Sequence, residues 1–276
     1  MSDISRSIEQ PKLRSELRIK IGRTYYSLLR RFMWIKMNKM FASEFNEEQL
    51  EYVHFVHKTP LLRKLKDVDM WYQHNKIINL RIAVKRLNGI VIHPGEVFSY
   101  WKLLGKPTRM KGYVNGMVLK NGTFKPGIGG GLCQISNMIF WMTLHTPLTI
   151  IERHRHGYDV FPDSNRTQPF CSGATCYFPH GDLMIRNDTP YDFQLILNVG
   201  ADNLEGEWRS SHMYNYTYKI IERNHEIKGE YWGGYSRHNE LYKQIYDLDG
   251  NLLDEKFILG NSAILMYSPF LQDGSS

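Results

Sequence analysis

The residues best suited to chemistry form one short run, Gly129-Gly130-Gly131-Leu132-Cys133-Gln134. The apolar spacing after the glycines predicts a helix from about Cys133 to Leu144. A thiol at the start of a helix faces the positive end of the helix dipole and unpaired backbone N–H groups, which favour the thiolate. Such a position can lower the thiol pKa from about 8.5 to the range of about 3.5–7.5. Cys133 is therefore a candidate nucleophile, and the same N–H groups could hold an oxyanion.

A thiol nucleophile also needs a base, and the nearest histidines lie in Glu152-Arg153-His154-Arg155-His156. In an extended chain His154 and His156 share one face, and the arginines on the other face could bind a carboxylate or a phosphate. Two other interpretations stay open. Cys133 could be a small buried apolar residue in an ordinary glycine turn, or a zinc site could form from the cysteines and histidines, although no paired C-x-x-C motif supports it. That zinc set would be drawn from Cys133, Cys171, Cys176, His154 and His156.

The basic charge of the chain is concentrated at its N-terminal end. The first 40 residues hold ten basic and three acidic side chains, a surplus that equals the net charge of +7 for the whole chain. Between Pro11 and Ile35 the apolar residues follow a helical stripe surrounded by basic residues. This helix could pack on its own domain with a solvated basic face, or it could lie on an anionic membrane surface. No nucleic-acid partner is expected, because no known nucleic-acid motif accompanies the charge.

The same segment bears on localisation. Arg30 and Arg31 interrupt its only apolar stretch, so we expect neither a cleaved signal nor a membrane-spanning helix. An odd number of cysteines, three, is less typical of an exported disulfide framework than of reduced thiols. We therefore expect a cytoplasmic protein, either free or peripheral at the inner face of the membrane.

The predicted fold class is α+β, with an antiparallel, partly closed sheet core against the central helix that follows the glycine loop. N-terminal helices precede this core, and a β-rich extension follows it. Further helices are predicted at Asn46–His57 and at about Asn75–Leu87, the second ended by Asn88-Gly89. The predicted division is a basic N-terminal segment (1–65), a core domain (66–205) and a C-terminal β extension (206–276). Strands are predicted at residues 90–92, 97–100, 113–119, 148–152, 175–178, 182–186, 193–199, 214–221, 243–246 and 256–259.

Several of these motifs, taken in order, resemble the VanW family of proteins associated with vancomycin resistance. The glycine–cysteine run is the most specific piece, and the resemblance covers roughly Trp71 to Val199. The other matching pieces are Asn79-Leu80-Arg81-Ile82-Ala83, Leu87-Asn88-Gly89, Pro94-Gly95-Glu96-Val97-Phe98-Ser99, Gly112-Tyr113, Glu152-Arg153-His154-Arg155-His156, Ala174-Thr175, Asp182-Leu183 and Asn187.

The resemblance implies an accessory protein of glycopeptide resistance that binds or acts on peptidoglycan precursors or stem peptides. Some family members are implicated as cysteine-dependent transpeptidases, which implies Cys133 as nucleophile and His156 as base, with no cofactor and no metal. Substrate contacts would come from Gly129, Gly130, Gly131, Gln134, Arg153 and His154. Gly173 stands where the family usually has aspartate, so a carboxylate that could orient His156 is missing. The alternative is a non-catalytic partner of resistance enzymes at the membrane surface; the oligomeric state is left open.

Overall fold

The computed structural model describes residues 8–9, 14–62, 69–120, 122–160 and 168–269. It contains four α-helices: α1 (Glu16–Lys36), α2 (Met70–Leu87), α3 (Tyr100–Leu104) and α4 (Cys133–Leu144). The strands are β1 (Tyr52–Pro60), β2 (Val91–Ile92), β3 (Val97–Ser99), β4 (Asn115–Lys120), β5 (Thr123–Ile128), β6 (Thr149–Glu152), β7 (Tyr158–Asp159), β8 (Met184–Arg186), β9 (Phe193–Val199), β10 (Asn203–Ser210), β11 (Tyr216–Gly229), β12 (Tyr235–Asp247) and β13 (Leu252–Leu265).

Four sheets organise these strands. The first has the order β1-β10-β9-β2, the second β11-β12-β13-β7, the third β3-β8-β6, and β4 and β5 form a separate hairpin. All pairs are antiparallel except β13 with β7. The α+β prediction is confirmed, while the sheets are open rather than partly closed.

Helix α4 lies at the centre of the hydrophobic core. Its side chains Ile135, Met138, Ile139 and Met142 are buried together with apolar residues of α2, α3 and the first and third sheets. Trp208 of β10 is also fully buried there, and its Nε1 donates a hydrogen bond to Thr143 Oγ1 of α4 (3.1 Å). Because other elements pack against this helix on several sides, the positions of its two ends in the fold are fixed.

Local sequence patterns predicted most of the helices. The predicted helices at Cys133–Leu144 and Asn75–Leu87 are confirmed, although α2 begins earlier, at Met70. Gly89, with φ of +83°, follows α2 as expected for a glycine in the left-handed region. The predicted N-terminal helix is observed as α1, capped by Ser15; the part of the prediction at residues 11–13 lies outside the described residues.

Two element predictions were wrong. Asn46–His57 was predicted as a helix, but its second half belongs to β1, which pairs along its length with β10 about 150 residues later. This non-local pairing outweighs the local helical spacing. The predicted strand at residues 175–178 is instead a turn, in which Tyr177 and Gly181 exchange two backbone hydrogen bonds of 2.9 Å. The strands β7 and β10 and the helix α3 were not predicted.

Among the described residues, no helix combines the length and apolar character needed to cross a bilayer. The C-terminal sheet packs on the core: Ile220 of β11 and Ile258 and Leu259 of β13 contact it. The proposed three-part domain division stays a prediction.

Candidate functional site

The glycine run before α4 is held tightly by other parts of the chain. A Cβ added to Gly130 would lie 2.1 Å from the carbonyl carbon of Gly116, so no side chain fits there. Asn79 of α2 braces the same point: its Nδ2 donates to the carbonyls of Gly130 (2.9 Å) and Val114 (3.1 Å), and its Oδ1 accepts from Val114 N–H (2.9 Å). The asparagine is completely buried. Glycine is therefore required here because α2, β4 and the loop approach one another too closely for a side chain.

The neighbouring motif residues are also engaged within the protein. A Cβ at Gly131 would meet the side chain of Lys76 at 2.3 Å, and Gly131 has a φ of +91°. Gln134 Nε2 donates to Thr59 Oγ1 (2.9 Å) and to the carbonyl of Pro60 (3.0 Å), which fixes the end of β1 to α4. These contacts give the glycines and Gln134 structural roles in the described fold.

Cys133 is a partly buried residue at the start of α4. Burial raises its pKa, and this effect outweighs the opposing influence of backbone N–H groups of Cys176 and of Cys133 itself. The helix N-terminus does act on the sulfur in the expected direction, but removal from water dominates. The expected low-pKa thiolate is therefore not what the structure supports. Burial also raises the pKa of the neighbouring Cys176 thiol, and the charge of a Cys133 thiolate would raise it further.

Hydrogen bonds hold the backbone at Leu132 and Cys133 in place. Tyr100 is fully buried, and its hydroxyl donates to the carbonyl of Leu132 (3.1 Å). Ser136 Oγ lies 2.6 Å from the carbonyl of Ala174 and 3.2 Å from that of Cys133. These contacts join α3, α4 and the segment before Cys176.

Gly173, at the position where the resemblance implies an aspartate, lies against α4. A Cβ at this position would approach Asn137 Oδ1 to 2.4 Å, and that oxygen accepts a hydrogen bond from Ala174 N–H (2.9 Å). A carboxylate at position 173 would therefore require Asn137 to move. The absence of the aspartate fits the local packing of this chain.

The two candidate histidines differ in their contacts. His156 is partly buried, and burial lowers its pKa with no charged group contributing. Within the described residues no hydrogen bond joins His156 to Cys133, so the structure does not show the expected nucleophile–base pair. His154 is bound on both ring nitrogens: Nε2 lies 2.8 Å from Glu152 Oε1 and Nδ1 lies 3.2 Å from the Tyr177 hydroxyl.

Glu152 connects this motif to the N-terminal helix. Its two carboxylate oxygens lie 2.5 and 2.7 Å from Arg30 Nη2, and Oε1 also accepts from the backbone N–H of Asp182 (3.1 Å). Burial by itself would raise the pKa of Glu152, but the hydrogen bonds from His154 and Arg30 outweigh it and lower the pKa. Glu152 is therefore an ionised anchor for α1.

Arg153 is also fully engaged. Its Nε donates to the carbonyl of Gly173 (2.8 Å), Nη2 to that of Cys171 (2.5 Å) and Nη1 to Asn261 Oδ1 (3.1 Å). Its guanidinium lies over the Phe140 ring, 4.7 Å from the centroid. Burial lowers its pKa to about 10. Arg153 thus ties α4, the 171–173 segment and β13 together, and its role in substrate binding stays a prediction.

Asp182 is a fully buried acid beside this region. Its carboxylate accepts from Ser99 Oγ (2.6 Å) and from the backbone N–H groups of Trp101 and Leu183 (both 2.9 Å). Burial outweighs these bonds and raises its pKa to about 7. Across the described part of the chain, no three or more His, Cys, Asp and Glu side chains gather as metal ligands, so the candidate zinc set is not assembled.

The opposite end of α4 borders an open cleft of about 570 Å³ between the core and β11. Aromatic and neutral polar groups dominate it. Phe55 of β1 stacks on His145, with ring centroids 3.9 Å apart, and Trp141 contacts His145 edge-on at 4.7 Å. The cleft is lined by Phe55, Trp141, His145, Gln168, Pro169, Tyr218, Lys219, Ile220 and Glu222.

The imidazoles at this cleft are uncharged at neutral pH. Burial lowers the pKa of His145 to about 4, and its Nδ1 lies 2.9 Å from the carbonyl of Trp141. Burial also lowers the pKa of His57, whose Nε2 lies 2.9 Å from Gln168 Nε2. The charged side chains of the lining are Lys219, which is exposed, and Glu222, which accepts a hydrogen bond from Asn239 (2.6 Å). Such a lining suits a peptide with few charges.

Sequence reasoning did not find this cleft. Its walls come from β1, α4 and β11, which are far apart along the chain, and none of them carries a local motif at the cleft. The same holds for the Arg30–Glu152 pair, which joins residues 122 positions apart. For Glu152 and Asp182, the one sequence signal was that both residues belong to the motifs that resemble the family.

Comparison with known proteins places the chain in a family. A family model described as "VanW like protein" matches residues 75–209. The chain is 33% identical over 227 residues to the Vancomycin B-type resistance protein VanW of Enterococcus faecalis, covering 82% of each protein. It is also 33% identical over 82 residues to the uncharacterized protein YoaR of Bacillus subtilis, which covers 30% of this chain and 27% of that protein. No solved structure matches.

Proposed function

This chain belongs to the VanW family, and from that premise we propose that it is an accessory protein of glycopeptide resistance that binds the peptide stem of a peptidoglycan precursor. The observation that carries the proposal is the aromatic cleft at the C-terminal end of α4. Binding sites for small molecules are typically concave, of about 300–1,000 Å³, with apolar walls and a few polar groups that fix orientation.

The chemistry of the cleft favours the peptide portion of a precursor. Phe55, Trp141 and Tyr218 offer ring surface to alanyl methyl groups and to the aliphatic part of a diamino acid. Lys219 can meet a stem carboxylate, and Glu222 can meet the amine of the diamino acid. A pyrophosphate or nucleotide would want several cations, and the imidazoles here are neutral at pH 7.

Cysteine-dependent acyl transfer is the alternative that the family motif supports. It requires the Cys133 thiol to ionise, and burial opposes this by raising the thiol pKa. The polar residues around Cys133 already hold one another. For this reason binding, rather than catalysis, is the function that the geometry supports best.

Calorimetric titration with a synthetic pentapeptide, L-Ala-γ-D-Glu-L-Lys-D-Ala-D-Ala, tests the proposal. We expect saturable one-to-one binding that Trp141→Leu and Lys219→Glu each weaken by about tenfold, because they remove ring contact or reverse a charge. Lys125→Glu, an exposed lysine outside the cleft lining, and Cys133→Ala should bind as the parent protein does. Melting temperatures of all variants identify any that are misfolded.

Two results would contradict the proposal. The first is a folded parent protein that shows no saturable binding of the pentapeptide or of its D-Ala-D-lactate counterpart. The second is a covalent peptidyl adduct, formed with an activated ester of the stem peptide and detected by mass spectrometry, that Cys133→Ala abolishes. That adduct would establish acyl transfer in place of binding.

A further inference from the structure

Helix α1 presents an apolar stripe that the described protein does not cover. No residue of this 21-residue helix is buried. Apart from Tyr26 (57%), whose ring lies near His180, six large apolar side chains are more than half exposed along it: Leu17 (68%), Ile21 (61%), Tyr25 (58%), Leu28 (59%), Phe32 (64%) and Ile35 (76%). At about 100° per residue these six fall within about 80° of one another around the helix axis. Exposed apolar side chains aligned in this way usually mark an interaction surface.

The opposite face of α1 fixes which way the stripe points. Arg30 is held by the Glu152 carboxylate and also donates to the carbonyl of His180 (2.9 Å). Trp34 lies 6.2 Å from the Phe178 ring, and Met33 packs beside the buried Phe41 and Met184. Because these residues lie on the far side of the helix from the stripe, the stripe faces away from the core.

Basic side chains border the stripe on both sides. By the same helical geometry, Lys20 and Arg31 lie along one edge, and Arg18 and Lys36 lie along the other. All four are exposed, whereas Arg30 is already used by Glu152. Glu16 is the only acidic residue of the helix.

We propose that this stripe is a membrane-binding surface, on which α1 lies in the headgroup region of an anionic phospholipid bilayer. The apolar side chains enter the boundary of the acyl chains, and the flanking lysines and arginines contact lipid phosphates. A second copy of the chain fits less well, because two such helices packed stripe to stripe would bring basic edges together with one acid each to offset them. The surface is separate from the cleft and does not depend on the proposed function.

Vesicle co-sedimentation of the full chain tests this inference. The protein should bind vesicles of phosphatidylcholine with 30% phosphatidylglycerol and bind pure phosphatidylcholine at least about tenfold more weakly. Leu28→Glu/Phe32→Glu should reduce the partition coefficient at least tenfold, because each change removes an apolar side chain from the bilayer. Lys20→Glu/Arg31→Glu should also reduce it at least tenfold and should lessen its sensitivity to salt.

The matched control is Leu248→Glu/Leu253→Glu, which adds the same charges at residues of similar exposure (64% and 60%) in the β12–β13 hairpin. It should bind as the parent does, and all variants should keep the parent melting temperature. The inference is overturned if the helix variants bind like the control. It is also overturned if anionic and neutral vesicles bind equally, or if the parent forms a dimer that Leu28→Glu/Phe32→Glu dissociates.

Discussion

The two ends of helix α4 differ in almost every property that matters for function. The N-terminal end carries the most distinctive sequence motif, yet its backbone and Gln134 are held by hydrogen bonds to Asn79, Thr59, Tyr100 and Ser136. Burial there raises the pKa of the Cys133 thiol. The C-terminal end carries no motif, but Trp141 and His145 border an open cleft. A specific motif can therefore mark residues that are needed for tight packing, while the surface available to a ligand lies elsewhere.

The largest expected effect tests the packing at the closed end. Gly130→Val should prevent folding, or lower the free energy of unfolding by more than about 3 kcal/mol, because its side chain would overlap the backbone of Gly116. Thermal unfolding followed by circular dichroism measures this. Gly157→Ala is the control, since a Cβ there meets nothing within 4 Å. A Gly130→Val protein as stable as the parent would show that the loop is not tightly held.

The buried Asp182 behind the closed end gives the next largest effect, on pH dependence. Its folded-state pKa, about 7, lies above the usual value for an unfolded chain, about 3.9. Between these values the folded state holds a proton that the unfolded state has lost, so this group lowers stability as pH rises from 4 to 7. Its contribution over that range is about 3 kcal/mol.

Asp182→Asn should therefore gain stability relative to the parent as the pH is raised from 4 to 7. Denaturant unfolding at several pH values measures the difference in unfolding free energy between the variant and the parent. The contributions of the other titrating groups are nearly the same in both proteins and largely cancel in this difference. A constant difference across this range would mean that Asp182 has an ordinary pKa and that the surroundings of Cys133 are wetter than described.

A pair of asparagines on α2 sharpens the role of the glycine loop. Asn79→Ala removes three hydrogen bonds and leaves buried backbone groups of Gly130 and Val114 unpaired, so it should cost about 2 kcal/mol of unfolding free energy. Asn75→Ala removes one hydrogen bond, to the carbonyl of Asn115, and should cost about 1 kcal/mol or less. Urea denaturation compares the two, and equal losses would contradict the bracing role of Asn79.

The smallest expected effect concerns the thiol itself. In a Cys171→Ser/Cys176→Ser background, iodoacetamide should modify Cys133 at pH 7.5 about tenfold more slowly than it modifies the same protein unfolded in guanidinium chloride, because burial raises the thiol pKa. Rates are measured by mass spectrometry. Faster reaction in the folded protein, with a pH midpoint below 8, would restore Cys133 as an activated nucleophile.

The elements whose signals are local could be predicted from the sequence. The spacing of Ile135, Met138, Ile139 and Met142 marked α4, Gly89 ended α2, and the ordered motifs indicated the family. The amphipathic character of α1 was also readable, because apolar and basic residues repeat with the helical period. The predicted helix at Asn46–His57 failed because β1 is stabilised by β10, a partner distant in the sequence.

Which polar groups are available for chemistry depends on the packing of the folded chain and could not be predicted from local sequence. Exposure, hydrogen-bond partners and pKa depend on what packs against a residue, and for Cys133, Arg153 and Glu152 those neighbours come from distant segments. The helix N-terminus favours a Cys133 thiolate, as its sequence position implies, but desolvation by the surrounding core has the larger effect. The cleft beside Trp141 likewise exists only because β1, α4 and β11 meet in the folded chain.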